Sequence, residues 1–397
     1  MDAQPMKLRV LLLSSKPAFP TLDGGCKATA SMLQLLHEAG CHVDVLSLST
    51  YKHPFSLSAF PPPWNRAERC IQLPVDTRFR PLDVAALLFS SSSYQVQRFR
   101  RYSRADLAKV QCWLNDRRYD IVLWDSIYSM AIAEDLTFEG NPRQIARIHN
   151  VEHHISRFLH LPSWIQAVLK QEQKRLEAFE LRCWKRVDEI WAMTKEDADQ
   201  VSTGVSTLVR CLAVPMQVEA RDWPTAPLRF FHLGAMDWKP NVQGLEWLLA
   251  KVWPMVLAVR PEAELHLAGR AFPPEFAQGV SGVVVHGEVE SAQDFTAQHH
   301  VLVVPVFEGS GIRIKTVEAA LQGRMVISTS KGAAGLPDSV LGQIRLADTA
   351  EEMAQQMLDC LQNPSAVQAQ AASLQQAMLT FAGWESALST LNTFLRS

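Results

Sequence analysis

The residues with the strongest chemical message lie between Val301 and Gly335, VLVVPVFEGSGIRIKTVEAALQGRMVISTSKGAAG. An apolar run, Val301–Pro305, leads through Glu308 into the turn Gly309-Ser310-Gly311, and then through Ile312 and Arg313 into an amphipathic stretch ending at Gly323. The pattern predicts a strand, a glycine-rich turn, a helix and a second strand over Met325–Thr329. In parallel sheets that turn is the ligand-binding edge, and the free N–H groups of a helix start favour an anion. Ile314, Val317, Ala320 and Leu321 form the apolar side of the helix, whereas Gly311, Lys315, Glu318 and Gln322 share another face. A cation near the helix start and a carboxylate one turn later suit a ligand with phosphates at one end and a diol beyond, as in a nucleotide diphosphate. The alternative is a solvated Lys315/Glu318 pair that stabilises a helix surface by about 0.2–0.5 kcal/mol.

Other reactive types are weaker. His149, Glu152, His153 and His154 fall within six residues, but HNVEHH is not an HExxH metal pattern and supplies no evident third ligand. The expectation is no metal site there. Asp197-Ala198-Asp199 lies in a polar helical stretch, where such carboxylates are ordinarily solvated. Ile314 stands where a phosphate-binding P-loop needs glycine, and DGGCKATA does not supply GxGxxG. Seven scattered cysteines without a CxxC read as small core residues in a reducing, cytoplasmic setting. The stretch Arg98, Arg100, Arg101, Arg104, Lys109, interleaved with Phe99, Tyr102 and Leu107, is either a solvated helix face or one that meets anionic lipid headgroups at a membrane surface.

The elements that must position these groups follow a repeating strand–helix pattern. A strand over Leu8–Ser14 precedes a loop with Pro17, Pro20, Asp23, Gly24 and Gly25. A helix from about Ala28 to Glu38 and a strand over Val43–Ser47 follow. Residues 51–80 are proline-rich and irregular. Two helices are expected between Leu82 and Asn115, strands at Ile121–Trp124 and Gln144–His149, a long helix over Leu169–Arg186, and strands at Glu189–Met193 and Leu208–Val214. A proline-bearing stretch, Pro215 to Pro227, reads as a linker. The pattern restarts with a strand at Phe230–Leu233 meeting Gly234, a helix over Val242–Val259, and strands Glu264–Ala268 and Val283–His286. The fold class is therefore α/β, with two doubly wound Rossmann-like domains facing across a cleft: 1–215, a linker 216–227, 228–380, and a last helix, 381–397, crossing back to the first domain. The chain has 397 residues, 47% hydrophobic and 20% charged, with net charge −2. That composition suits a globular protein and gives no global field for nucleic acid. The start shows no signal-peptide pattern, and no run of about 18 apolar residues predicts a membrane span.

The segment GSGIRIKTVEAALQGRMVISTSKGAAGL resembles retaining glycosyltransferases of the GT-B fold, glycosyltransferase family 4, in the subgroup with a GSG-x-R-x-K-x-x-E turn. FHLGAMDWKPN is similar to the start of that family's donor domain, and ARIHNVEHH resembles its HNvE segment. The resemblance covers essentially the whole chain and is strongest from Phe230 to Leu336. It implies transfer of a sugar from a nucleotide-sugar donor to an acceptor glycan, lipid-linked saccharide, protein or small molecule, with retention of configuration, without a metal and with no cofactor beyond the donor. It also implies roles. Glu318 would hold the ribose hydroxyls; Arg313, Lys315 and the Gly311 amide would hold the diphosphate, with Lys239 a further cation. His149 would lie near the reacting sugar and Val289 beside the base. Gly24 and Gly25 would let the first loop approach the phosphates, since a side chain would obstruct it. Glu308 stands farther from Glu318 than in many members, and either touches sugar hydroxyls or fills the loop. Two other readings are a GT-B nucleotide-sugar epimerase and a nucleotide-binding protein without turnover.

Overall fold

The computed structural model describes residues 8–80, 83, 88, 90–154, 163–273, 275–308 and 311–396. The chain divides into two compact units: Met1–Pro215 with Ala387–Ser397, and Met216–Ser386.

The first unit is built on β1 (Arg9–Ser14), β2 (His42–Ser49), β3 (Cys70–Pro74), β4 (Ile121–Asp125), β5 (Arg143–Ile148), β6 (Glu189–Ala192) and β7 (Leu208–Cys211). These pair in the order β3-β2-β1-β4-β5-β6-β7, every pair parallel. Leu11, Leu13, Leu46, Leu48, Val122 and Ile190 are fully buried, as expected for strands covered by helices on both faces. The order reverses between β1 and β4, so their C-terminal ends splay apart and leave a crevice. The last helix, Trp384–Arg396, sends Phe394 against Trp191, with ring centroids 5.7 Å apart. The Arg210 guanidinium lies 4.8 Å from the Phe394 ring, and Arg143 donates to the Phe394 carbonyl.

Three local expectations change. The first helix begins at Gly24, not near Ala28. Two glycines oppose a helix start, but Asp23 caps it, accepting from the Cys26 N–H at 2.9 Å, and Cys26, Ala28 and Met32 are buried. The region expected to be irregular contains the edge strand β3, in register with Val45–Ser49 of β2. The basic stretch is not one helical face. A 3-10 turn covers Arg98–Arg100 and the helix starts only at Arg104. Part of it is engaged with the protein itself: Arg101 pairs with Asp83, Arg100 with Asp135 at 3.2 Å, and the Tyr102 hydroxyl donates to Asp135 at 2.5 Å, while Arg104 and Lys109 are exposed. Phe99 stacks on Tyr128 with centroids 5.0 Å apart. That arrangement gives no support to a lipid-facing surface.

The second unit contains β8 (Phe230–Leu233), β9 (Leu265–Ala268), β10 (Val283–Gly287), β11 (Val301–Val304), β12 (Met325–Ser328) and β13 (Arg345–Leu346). They pair in parallel in the order β10-β9-β8-β11-β12-β13. Here the order reverses between β8 and β11, with Val301 opposite Phe230 and Leu302 opposite Phe231. The segment Lys239–Val259 is helical throughout, with a π turn over Leu248–Val252. It begins three residues before the expected start. At 21 residues and mean hydropathy 1.3 it is long and apolar enough to cross a membrane; its Leu245, Leu248, Val252, Trp253 and Val256 are fully buried in this unit. The 216–227 stretch is tied down by the buried Arg324, whose Nη2 donates to the carbonyls of Arg221 and Asp222 at 2.7 and 2.6 Å. These architectures are two Rossmann-like α/β domains.

Candidate functional site

In the second unit the helix Ile314–Leu321 follows β11 and carries Lys315 and Glu318. Lys315 is not a solvated partner of Glu318. Its Nζ donates to Asn241 Oδ1 at 2.9 Å and meets His232 Nε2 at 3.1 Å. His232 lies on β8 and is fully buried; its Nδ1 donates to the Val303 carbonyl of β11 at 2.8 Å. That bond fixes the tautomer and leaves the Nε2 lone pair to accept from Lys315. Burial, reinforced by the Lys315 charge, drives the His232 pKa well below its usual value, so the imidazole is neutral. Asn241 is oriented in turn, since its Nδ2 donates to the Ala235 carbonyl at 2.8 Å.

When protonated, Lys315 is thus an ammonium on two neutral acceptors. Among the described residues it has no carboxylate partner. Burial, and then the nearby Arg313 charge, lower its pKa to about 7. An ammonium has three donors; two are used here, and the third is left for a ligand. Arg313, the residue before the helix, is buried, and its guanidinium lies 5.2 Å from the Trp238 ring centroid. Burial lowers its pKa to about 10, which leaves it charged at neutral pH. Two basic side chains therefore stand in one partly desolvated place, an environment in which a bound anion favours their charged forms.

Gly234, at the end of β8, completes it. A Cβ there would lie 2.6 Å from Asn241 Nδ2, 2.7 Å from Lys315 Nζ and 3.0 Å from His232 Nε2. Gly311 has φ 75°, the left-handed region that favours glycine. Ile312, Glu308 and Glu318 are half-buried, and Val289 is half-buried just beyond β10. Lys239 is exposed at the first position of its helix rather than in a loop. Gly309 and Ser310 lie outside the described residues. Asn241 and His232 were not singled out from the sequence, although both lie in the quoted FHLGAMDWKPN run, His232 as its second residue and Asn241 as its last.

The first unit has its own polar pocket, of about 400 Å3, lined by Lys16, Asp23, Gly25, His53, Ser126, Tyr128, His149 and Glu152 among others. These come from the C-terminal ends of β1, β2, β4 and β5, where a doubly wound sheet places ligands. His149 Nε2 lies 2.8 Å from Asp125 Oδ1. Asp125 is buried, and also accepts from Arg147 Nη1 at 2.7 Å and Thr29 Oγ1 at 2.5 Å. Burial opposes its charge, but Arg147, His149 and the Thr29 hydroxyl hold its pKa below the usual carboxylate range. Asp125 therefore orients His149, and sequence reading missed it by ending the strand at Trp124. The next residue, Ser126, has φ 83° without being glycine, local strain of a kind that collects at functional sites.

Gly24 and Gly25 open the first helix. The space beside Gly25 is filled by Lys16, whose Nζ would lie 2.6 Å from a Cβ. Lys16 donates to both Asp23 oxygens at 2.7 Å, and His53 Nε2 meets Oδ2 at 2.9 Å. In HNVEHH, His153 goes to the buried Glu180 at 2.6 Å and not to His149's partner. Thr194 caps the helix that carries Asp197-Ala198-Asp199, and the half-buried Asp197 carboxylate accepts from Thr194 Oγ1 at 2.7 Å, whereas Asp199 is exposed as expected.

Residues 227–363 match the family model of the glycosyl transferases group 1. A protein of Klebsiella pneumoniae, described as an uncharacterized 44.6 kDa protein in the cps region, is 23% identical over 279 residues, covering 66% of this chain and 70% of that protein. Among solved structures, sucrose-phosphate synthase from Thermosynechococcus elongatus superposes with a TM-score of 0.67 at 15% identity, covering 98% of each chain. Anabaena HepE, solved in complex with UDP and glucose, gives 0.66 at 12% identity, covering 98% of this chain and 100% of that one. The chain has the GT-B glycosyltransferase fold of two Rossmann-like domains, and its residues 227–363 carry the match to the glycosyl transferases group 1.

Proposed function

We propose that the protein is a glycosyltransferase that moves a sugar from a nucleotide-sugar donor to an acceptor with retention of anomeric configuration. The observation that carries this reading is Lys315, held by neutral Asn241 and His232 beside Arg313, with one N–H left to donate. In sugar transfer the nucleotide diphosphate leaves as an anion, and preorganised cations stabilise that charge as it develops. Lys315, Arg313 and the Gly311 amide take this task, supplied by the chain's own groups. Glu318, one turn beyond Lys315, accepts from the ribose hydroxyls; Val289 lies beside the base. His149, set by Asp125, contacts the reacting sugar. The pocket of the first unit, rich in paired polar groups, binds the hydroxyls of an acceptor glycan or glycolipid. HepE, with its UDP and glucose, supports a nucleotide-sugar donor. The Klebsiella relative, in its cps region, supports a setting in cell-surface polysaccharide assembly.

The test is calorimetric binding of UDP-, GDP-, ADP- and dTDP-sugars. One of them is expected to bind, and Glu318→Ala to weaken it by about 1–3 kcal/mol through lost charge-assisted hydrogen bonds. No binding by any donor would remove the reading. With an acceptor in hand, NMR of the product anomer decides retention, and an inverted product would refute that part. His149→Ala should lower turnover more than donor affinity.

A further inference from the structure

Away from Lys315, three imidazoles converge at the free edge of the second sheet. His266 is on β9, His286 is at the end of the edge strand β10, and His299 follows the helix Ala292–Ala297. Ring nitrogens of all three lie within 4.8 Å of one another. His266 Nδ1 and His286 Nε2 are 2.9 Å apart, and the rings of His266 and His299 are 4.5 Å apart at their centroids.

The outer nitrogens are already committed. His299 Nδ1 donates to the Phe295 carbonyl at 2.6 Å, and His266 Nε2 lies 3.3 Å from the Glu264 carboxylate. Metal-binding histidines are fixed in this manner, one nitrogen on an oxygen acceptor so that the opposite one keeps its lone pair. The lone pairs then sit on His266 Nδ1 and His299 Nε2. Without an ion, His286 donates its Nε2–H to His266. Moving that proton to its own Nδ1 presents a third lone pair, with no net proton gained or lost. His266 and His299 are 8% and 2% exposed and rigidly packed, whereas His286 is exposed. The pairing of β10 with β9 shifts register between Val285 and Gly287, and such a bulge re-aims the side chain it carries. A tetrahedral ion with bonds of about 2.0–2.1 Å needs nitrogens roughly 3.3 Å apart; the three ligand atoms already lie within 4.8 Å of one another, so closing the site takes small turns of the rings, with the exposed His286 least constrained.

We propose that His266, His286 and His299 form a site for an imidazole-preferring divalent ion of the zinc class, with solvent as the fourth ligand. The ion ties the edge strand β10, and the turn that carries Val289, to β9 and the Ala292–Ala297 helix. Its role is structural, and it stands apart from the Lys315 anion site, whose proposed chemistry uses no metal.

The experiment uses the full chain, free of any affinity tag and stripped with chelator. Co2+ is titrated in while its visible d–d bands are followed, and Zn2+ is then added. One equivalent per chain with tetrahedral-type bands, displaced by Zn2+, is expected. His286→Ala, at an exposed position, should weaken uptake at least about 100-fold. Asp23, Cys26 and His53 also bring ligand atoms within 4.8 Å of one another, so His53→Ala is the control and should bind normally. Absence of stoichiometric uptake, unchanged affinity in His286→Ala, or loss in His53→Ala alone would each overturn the proposal.

Discussion

The low pKa of Lys315 makes donor binding depend on pH in a definite sense. Its side chain titrates near 7 in the folded protein, against the ordinary 10.5. A diphosphate beside it restores the cation, so above pH 7 binding must take up a proton. If the charged form alone binds well, apparent affinity follows the fraction of Lys315 that is protonated. That fraction is about one half at pH 7 and about one hundredth at pH 9, so the dissociation constant should rise roughly 50-fold, or about 2.3 kcal/mol. The diphosphate of a nucleotide sugar is esterified at both ends, so its remaining acidic protons are lost far below this window and do not mask the effect. Calorimetry of the donor found in the screen, in buffers of different ionisation enthalpy, reads the uptake directly: about half a proton at pH 7, approaching one at pH 9. Lys315→Met should bind weakly throughout and lose the slope. The same shift acts on folding. Between about 7 and 10.5 the unfolded chain holds the proton that the folded chain lacks, so this group's contribution to stability rises with pH across that window. Saturating donor should flatten that rise. A flat affinity profile from pH 7 to 9, or the same slope in Lys315→Met, would refute the argument that an uncompensated buried cation awaits the diphosphate.

Two further substitutions separate the parts. Gly234→Ala puts a Cβ into the ends of Asn241 and Lys315; these can give way, so stability should hold, while donor affinity falls by about tenfold or more as Lys315 leaves its acceptors. Equal affinity by calorimetry would show that this close approach does not position Lys315. Asp125→Asn leaves the buried Arg147 without its counter-charge and should cost about 3–5 kcal/mol in a denaturant titration; an unchanged midpoint would mean that Arg147 is held by other groups.

The sheets were legible because their strands are short apolar runs between turn residues, such as VLLLS and VLVV, the pattern of strands buried on both faces. The edge strand Cys70–Pro74 was not. An edge strand is buried on fewer sides, so CIQLP carries little of that pattern and is hidden in a proline-rich stretch. The first helix hid its start behind two glycines, because local propensity was outweighed by the Asp23 cap and by burial of the residues that follow.

The site divides along the same line. Lys315 and Glu318 were readable because helix periodicity alone puts them on one face. Their meaning was not, because it depends on what stands opposite. Asn241 and His232 are 74 and 83 residues away from Lys315, brought to it by the parallel pairing of β8 with β11. A lysine beside a carboxylate would have been a surface ion pair with an ordinary pKa; a lysine on a neutral imidazole and an amide is a cation in want of an anion. Spacing can show that a charge is placed. Only the register of the sheet decides what stands opposite it, and here that is a neutral imidazole and an amide rather than a carboxylate, which is why the proposed role of Lys315 rests on the fold and not on the spacing.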